Sequence, residues 1–177
     1  MDNINIHGTG LIPSGEYGSI VVCGSGFSSN FYTCNKMQIN GIMNADNDIQ
    51  CNGILEVNGK LTAKVIIAKE VFINGSIECN ILRAQSIVMQ LTGKSTIDEI
   101  QSTELIVKLK KIFASKDKHH LNTNIVACET ADVESLQVET LKCNVLIGRA
   151  GTNINNLYYK DKYTLHNKAF VNNIHKI

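Results

Sequence analysis

The chain lacks tryptophan, has a single proline at Pro13, and draws only 6% of its 177 residues from aromatics. A core filled by large rings is excluded. Small and β-branched side chains must carry the interior, which suits a narrow space built from thin layers. An excess of one charge is missing too: 17 Lys and Arg stand against 16 Asp and Glu, net +1, whereas a nucleic-acid binder shows a clear basic excess. The start, Met1-Asp2-Asn3-Ile4, offers neither a basic nor an apolar segment, so no secretory signal is expected. No apolar run approaches the roughly 20 residues that span a bilayer. Apolar residues still make up 44%, enough for a buried core, and the length suits one folded unit. Six cysteines (Cys23, Cys34, Cys51, Cys79, Cys128 and Cys143) are widely spaced. With no secretory signal they read as reduced, mostly buried thiols of a cytoplasmic protein.

What is present is alternation. Between Ile49 and Ile81, thirteen of seventeen odd positions are apolar against four of sixteen even ones, the mark of a strand with one buried face. A single strand of that length would reach roughly 110 Å at about 3.3 Å per residue, so the chain must bend while keeping its inside and outside. Apolar pairs fall at Ile49/Cys51, Leu55/Val57 and Leu61/Ala63, and again at Val65/Ile67, Val71/Ile73 and Ile77/Cys79, restarting at Ile81 and Ile87/Met89. Pair starts step by six, six and four, a three-sided repeat of 16 beginning at 49, 65, 81 and more weakly Ile97. Corners fall at Gly53, Gly59, Lys69 and Gly75, with Asn52, Asn58 and Asn74 beside them; glycine and asparagine both tolerate turn backbone. The line from Met37 to Ala45 matches that from Leu55 to Ala63 at an offset of 18, which predicts a two-residue corner insertion near Asp46 to Asp48.

A second run has tighter corners: Val126/Cys128, Ala131/Val133, Leu136/Val138 and Leu141/Cys143 recur every five residues, followed by Val145/Ile147. Repeats of this length point to a solenoid, whose units bury their apolar faces only against neighbours. A period of two defeats amphipathic helices. An antiparallel meander would not give three-sided recurrence, and the step of four breaks a left-handed hexapeptide coil. The fold expected is all-β: a single-stranded, three-sided parallel β-helix with coils of about 15–18 residues, a right-handed coil being favoured. It fills one domain over 1–177. Residues 1–36, with Ile4/Ile6, Ile20/Val22 and Phe31, read as irregular first coils. Regular coils follow at 37–107, a loop at 108–122, regular coils again at 123–150, and last coils or a cap at 151–177.

Chemistry is sparse. Gly24-Ser25-Gly26 has no following Lys-Ser/Thr at P-loop spacing, so turn glycines are the better account. His119 and His120 are adjacent and on a strand would face opposite sides. Cys51 and Cys79 share the register of buried neighbours. Asp132 and Glu134 alternate with inward Ala131 and Val133 and read as solvated. Lys108, Lys110, Lys111, Lys116 and Lys118 form a basic stretch, with Asp117 interleaved, that reads as a surface loop. No catalytic residue, metal site or cofactor site is expected, nor a small-molecule substrate. The solenoid ends matter more. Uncapped end coils expose strand edges that template further pairing, and a head-to-tail contact that does not close gives a filament.

Several segments are similar to those of the bactofilins, bacterial polymer-forming cytoskeletal proteins, in the longer form found in Gram-positive bacteria. They are the Gly-Ser-rich start with Tyr17 and Val21-Val22-Cys23-Gly24-Ser25-Gly26, the units QINGIM at 38–43 and FINGSI at 72–77, and the run from Val133 and Leu136 through Asn144-Val145-Leu146-Ile147-Gly148 to Asn156-Leu157-Tyr158-Tyr159. The likeness covers roughly residues 4 to 160; glycines are sparser after Gly75 than in bactofilin coils. The resemblance implies a right-handed three-sided β-helix that assembles end to end, without nucleotide, as a head-to-tail homopolymer. It also implies a cytoplasmic scaffold, partly at the inner membrane face, whose partners besides itself are envelope or membrane-associated proteins. End-coil contacts would fall to Ile4 and Ile6 at one end and Leu165 and Phe170 at the other. A solenoid enzyme with sites between subunits, a transferase or metal-dependent hydrolyase, and a monomeric interaction scaffold are the competing expectations.

Overall fold

A computed structural model describes residues 1–110 and 120–177. These form one parallel sheet wound into a β-solenoid of about ten turns, with no helix among the described residues. In chain order the strands are β1 (Asp2–Leu11), β2 (Gly15–Ser28), β3 (Tyr32–Ile39), β4 (Ile42–Ala45), β5 (Ile49–Val57), β6 (Lys60–Thr62) and β7 (Val65–Leu91). They continue as β8 (Ser95–Leu109), β9 (Leu121–Ala127), β10 (Thr130–Val133), β11 (Leu136–Gly148), β12 (Asn153–Leu165) and β13 (Phe170–Lys176). Each turn hydrogen-bonds to the next in parallel register: Ile4 pairs Ile20, Ile20 pairs Met37, Met37 pairs Leu55 and Leu55 pairs Val71. Asp2–Leu11 and the glycine-rich β2 join this ladder from the first lap onward.

The inward positions of one lap are Val71, Ile73, Ile77, Cys79, Leu82 and Ala84, before Ile87 opens the next. They step by two within each side, by four at one corner and by three at the other two. Two side chains per side thus line the interior, in six columns parallel to the axis. Val57, Ile73 and Met89 lie in one such column, all at most 2% exposed. Each Ile or Leu so buried contributes roughly 1.5–3 kcal/mol.

The three-residue corners correct three inside/outside assignments. A step of three reverses parity, so Ile66 and Ala68 face the core while Ile67 is 42% exposed and Val65 only half-buried, and one lap on Leu82 lines the core in place of half-buried Ile81. For the same reason Leu146 and Gly148 point inward and Ile147 outward. At the start of the chain Tyr32 is fully buried and Phe31 is exposed. The two extra residues of the 18-residue lap are split. One lies at the corner between Ala45 and Ile49; the other is a bulge between Cys51 and Ile54.

One corner is a glycine column. A Cβ on Gly24, Gly41, Gly59 or Gly75 would stand 1.9–2.2 Å from the carbonyl oxygen of the glycine one lap earlier. Only a missing side chain allows that approach. Those carbonyls are used: Lys60 N donates to Gly41 O at 2.8 Å and Ser76 N to Gly59 O at 2.9 Å. Beside the glycines runs an amide ladder, Asn74 Nδ2 donating to Asn58 Oδ1 (3.4 Å) and Asn58 Nδ2 to Asn40 Oδ1 (3.1 Å). All six cysteines are unpaired. Cys34 and Cys51 are register partners, and the Cys34 thiol, hydrogen-bonded to Cys51 and buried, is held well above its usual range. Burial likewise pushes the Cys79 thiol up to about 12 and that of Cys143 up to about 11.

Candidate assembly surfaces at the two ends

The end laps arise because the column pattern simply stops. Among the described residues strand β1 pairs only with β2, and β13 only with β12, so each leaves one edge of backbone N–H and C=O groups without a described strand partner. The interior columns are opened as well. Leu157 is fully buried, yet its partner one lap on, Ile174, is 42% exposed. Leu146 is fully buried and its partner Tyr163 is 37% exposed. Ile4, above fully buried Ile20, is only partly covered. These side chains occupy core positions without the lap that would cover them.

Aromatics gather at the ends. Eight of the ten Phe and Tyr residues lie within the first 32 or the last 20 positions, while aliphatic side chains fill the middle laps. Near the start, Tyr32 is fully buried with its hydroxyl 3.9 Å from Met37 Sδ, and burial drives its phenol well above the usual range. Near the close, Tyr159 and Tyr163 meet edge to face at 4.8 Å, and His175 stacks on Tyr158 at 4.8 Å. Charge divides in the same way. Residues 1–35 hold Asp2 and Glu16 with no Lys or Arg, whereas 160–177 hold Lys160, Lys162, Lys168 and Lys176 against Asp161 alone.

Of the four end residues expected from sequence, Ile4, Ile6 and Leu165 point inward in the end laps, while Phe170 stands 60% exposed on an outer face. Ile174, Val171 and Tyr163 belong with them and were not singled out. Their signal was the 17-residue step from Ile154 to Val171 and Leu157 to Ile174. Lys108 is exposed, and Lys110 Nζ donates to Asn74 Oδ1 at 3.1 Å, extending the corner ladder. Lys111, Lys116, Lys118 and His119 lie outside the described residues. Asp132 is forked by Arg149, with Nη2 2.7 Å from Oδ2 and Nε bonded to Oδ1, so it is paired as well as solvated. Nothing in the comparisons with protein-family models, curated proteins or solved structures matches the chain.

Proposed function

We propose that this chain is a structural protein whose copies stack end to end into nucleotide-independent filaments that act as a scaffold, in the manner of the bactofilins it resembles. The exposure of Ile174 and Tyr163, core-column residues with no lap above them, carries this reading. Another copy supplies the missing lap: the first strand of one subunit extends the sheet from the last strand of its neighbour, and the six columns run on. The reading is head to tail because an acid-bearing first lap then faces a lysine-rich last one. Like-on-like stacking would set lysines against lysines. In this role the filament works in the cytoplasm, with envelope or membrane-associated proteins as clients.

Negative-stain microscopy of the purified chain without nucleotide is expected to show filaments. Ile174→Glu is expected to leave the circular dichroism of the fold intact and give monomers. Raising salt from about 0.1 M to 1 M shortens the Debye length from about 10 Å to 3 Å and is expected to weaken charge-assisted growth. A wild-type chain that stays monomeric under all these conditions overturns the reading.

A further inference from the structure

We infer that the outer face of the last five laps is a binding strip for a neutral, β-linked glycan lying along the solenoid axis. This rests on different residues from the end-to-end reading and stands or falls apart from it.

Outward side chains on this face form a column whose register is continuous: Thr96 pairs Asn122, Asn122 pairs Gln137, Gln137 pairs Asn153 and Asn153 pairs Phe170. They border a hollow of about 470 Å³. Two residues along each strand stands a second column that is bonded within itself. Asn155 Nδ2 donates to Glu139 Oε1 at 2.6 Å, and Asn172 Nδ2 to Asn155 Oδ1 at 2.8 Å; Asn124 Nδ2 reaches Asp98 Oδ1 at 3.5 Å. That column is spent on its own stability, like the corner ladder of Asn40, Asn58 and Asn74. The first column is not. Asn122, Gln137 and Asn153 make no side-chain hydrogen bond to the described residues, although their register would permit the same ladder. Their amides, each with two donors and an acceptor oxygen, face the hollow.

Charge and chemistry narrow the occupant. Among the described residues no Lys, Arg or His lines the hollow, while Asp98 and Glu139 do, which disfavours phosphate, nucleic acid and acidic polysaccharide. A lipid or apolar protein surface would desolvate a row of amides without pairing them. Groups that both donate and accept suit hydroxyls. The rows repeat at the strand spacing of about 4.8 Å, close to the advance of one pyranose in an extended β-linked chain. An extended peptide repeats its outward groups every two residues, about 6.6 Å, and falls out of step. Phe170, 60% exposed at the end of the column, offers an apolar ring to a sugar face.

Calorimetric titration of the whole chain with cellohexaose, laminarihexaose, maltohexaose, cellobiose and hexagalacturonate tests this. Saturable binding of at least one of the two β-linked hexasaccharides is expected, at least tenfold tighter than cellobiose. At least tenfold loss is expected in Gln137→Ala/Asn153→Ala, several-fold loss in Phe170→Ala, and no change in Lys142→Ala on another face. All these side chains are exposed, and circular dichroism checks that the variants fold. No binding of either β-linked hexasaccharide overturns the assignment. So does equal binding of the α-linked or acidic oligosaccharide, or full retention by both strip variants.

Discussion

The first five laps and the last five enclose the same six-column interior but turn their corners by different chemistry. In the first half the corner before β4, β6 and the middle of β7 is solved by backbone. Glycines stack so closely that each carbonyl occupies the place of the next residue's Cβ, and asparagines bond to one another alongside. Past Gly75 that solution ends: Thr92 N still donates to Gly75 O, at 3.1 Å, but no glycine stacks there. In the second half side chains take over. Glu134 Oε2 accepts from Leu109 N at 3.2 Å, His120 Nδ1 meets Ser135 Oγ at 2.5 Å, and Thr152 Oγ1 donates to Val133 O at 2.8 Å. The corner at Ser135, a step of three from Val133 to Leu136, is one residue shorter than the glycine corners at Gly41, Gly59 and Gly75. Ser135 turns it at φ 56°, the one non-glycine residue at positive φ among those described. The lesson is that column burial defines the fold, and the corner need only satisfy the backbone.

If that is right, a charge inside a column is equally ruinous in either half. Ile73→Asp and Leu141→Asp place an unpaired carboxylate among residues at most 2% exposed. Each is expected to cost about 4 kcal/mol or more, enough to abolish the native far-ultraviolet circular dichroism of a marginally stable chain. A folded Leu141→Asp beside an unfolded Ile73→Asp would break the equivalence of the two halves.

Glycine substitutions separate them. Gly59→Ala drives a methyl to 2.0 Å from Gly41 O, a backbone atom that cannot yield without unpicking the ladder. About 3–5 kcal/mol of destabilisation is expected in denaturant unfolding. Gly148→Ala meets Leu165 Cδ2 at 2.7 Å, the tip of a side chain in the loosely covered last lap. Rotation of that tip limits the loss to about 1 kcal/mol. Comparable losses for both would mean the glycine column has no special standing.

The side-chain corners are expected to be softer. Thr152→Val removes a fully buried donor, but Val133 O keeps a second hydrogen bond, from Arg149 N at 2.7 Å. The expected cost is about 1 kcal/mol, read as a lower unfolding midpoint at unchanged slope.

Most of the fold was legible because β-branched and aliphatic residues at a period of two have few ways to be buried together. Glycine and asparagine at 58–59 and 74–75 then marked one corner. What was not legible turned on parity. Val65, Ile66, Ile67 and Ala68 are all apolar, so composition could not say which pair faces in; only the three-residue corner before Ile66 decides it. Gly148 hid its inward position by having no side chain. The end surfaces were half legible, since exposure of Ile174 follows from the absence of a next lap and not from its neighbours. The unpaired amide column was invisible, because Asn122 and Asn124 look alike in sequence and differ only in whether a register partner answers them.

The finest test concerns the forked ion pair of Asp132 and Arg149 in the second half. Arg149, hydrogen-bonded to Asp132, holds that carboxyl below the usual carboxylate range. A depressed folded pKa stabilises the native state above the unfolded value, about 3.9, and that contribution disappears as pH falls through the lower folded value. Both partners are substantially solvated, the arginine side chain 46% exposed, so solvent screening leaves the pair only a small contribution. Asp132→Asn is expected to lower the unfolding midpoint slightly at pH 7 and to match the parent once pH drops below the folded carboxyl's titration. A pH-independent gap at position 132 would mean that packing across the corner, and not charge, joins these two laps.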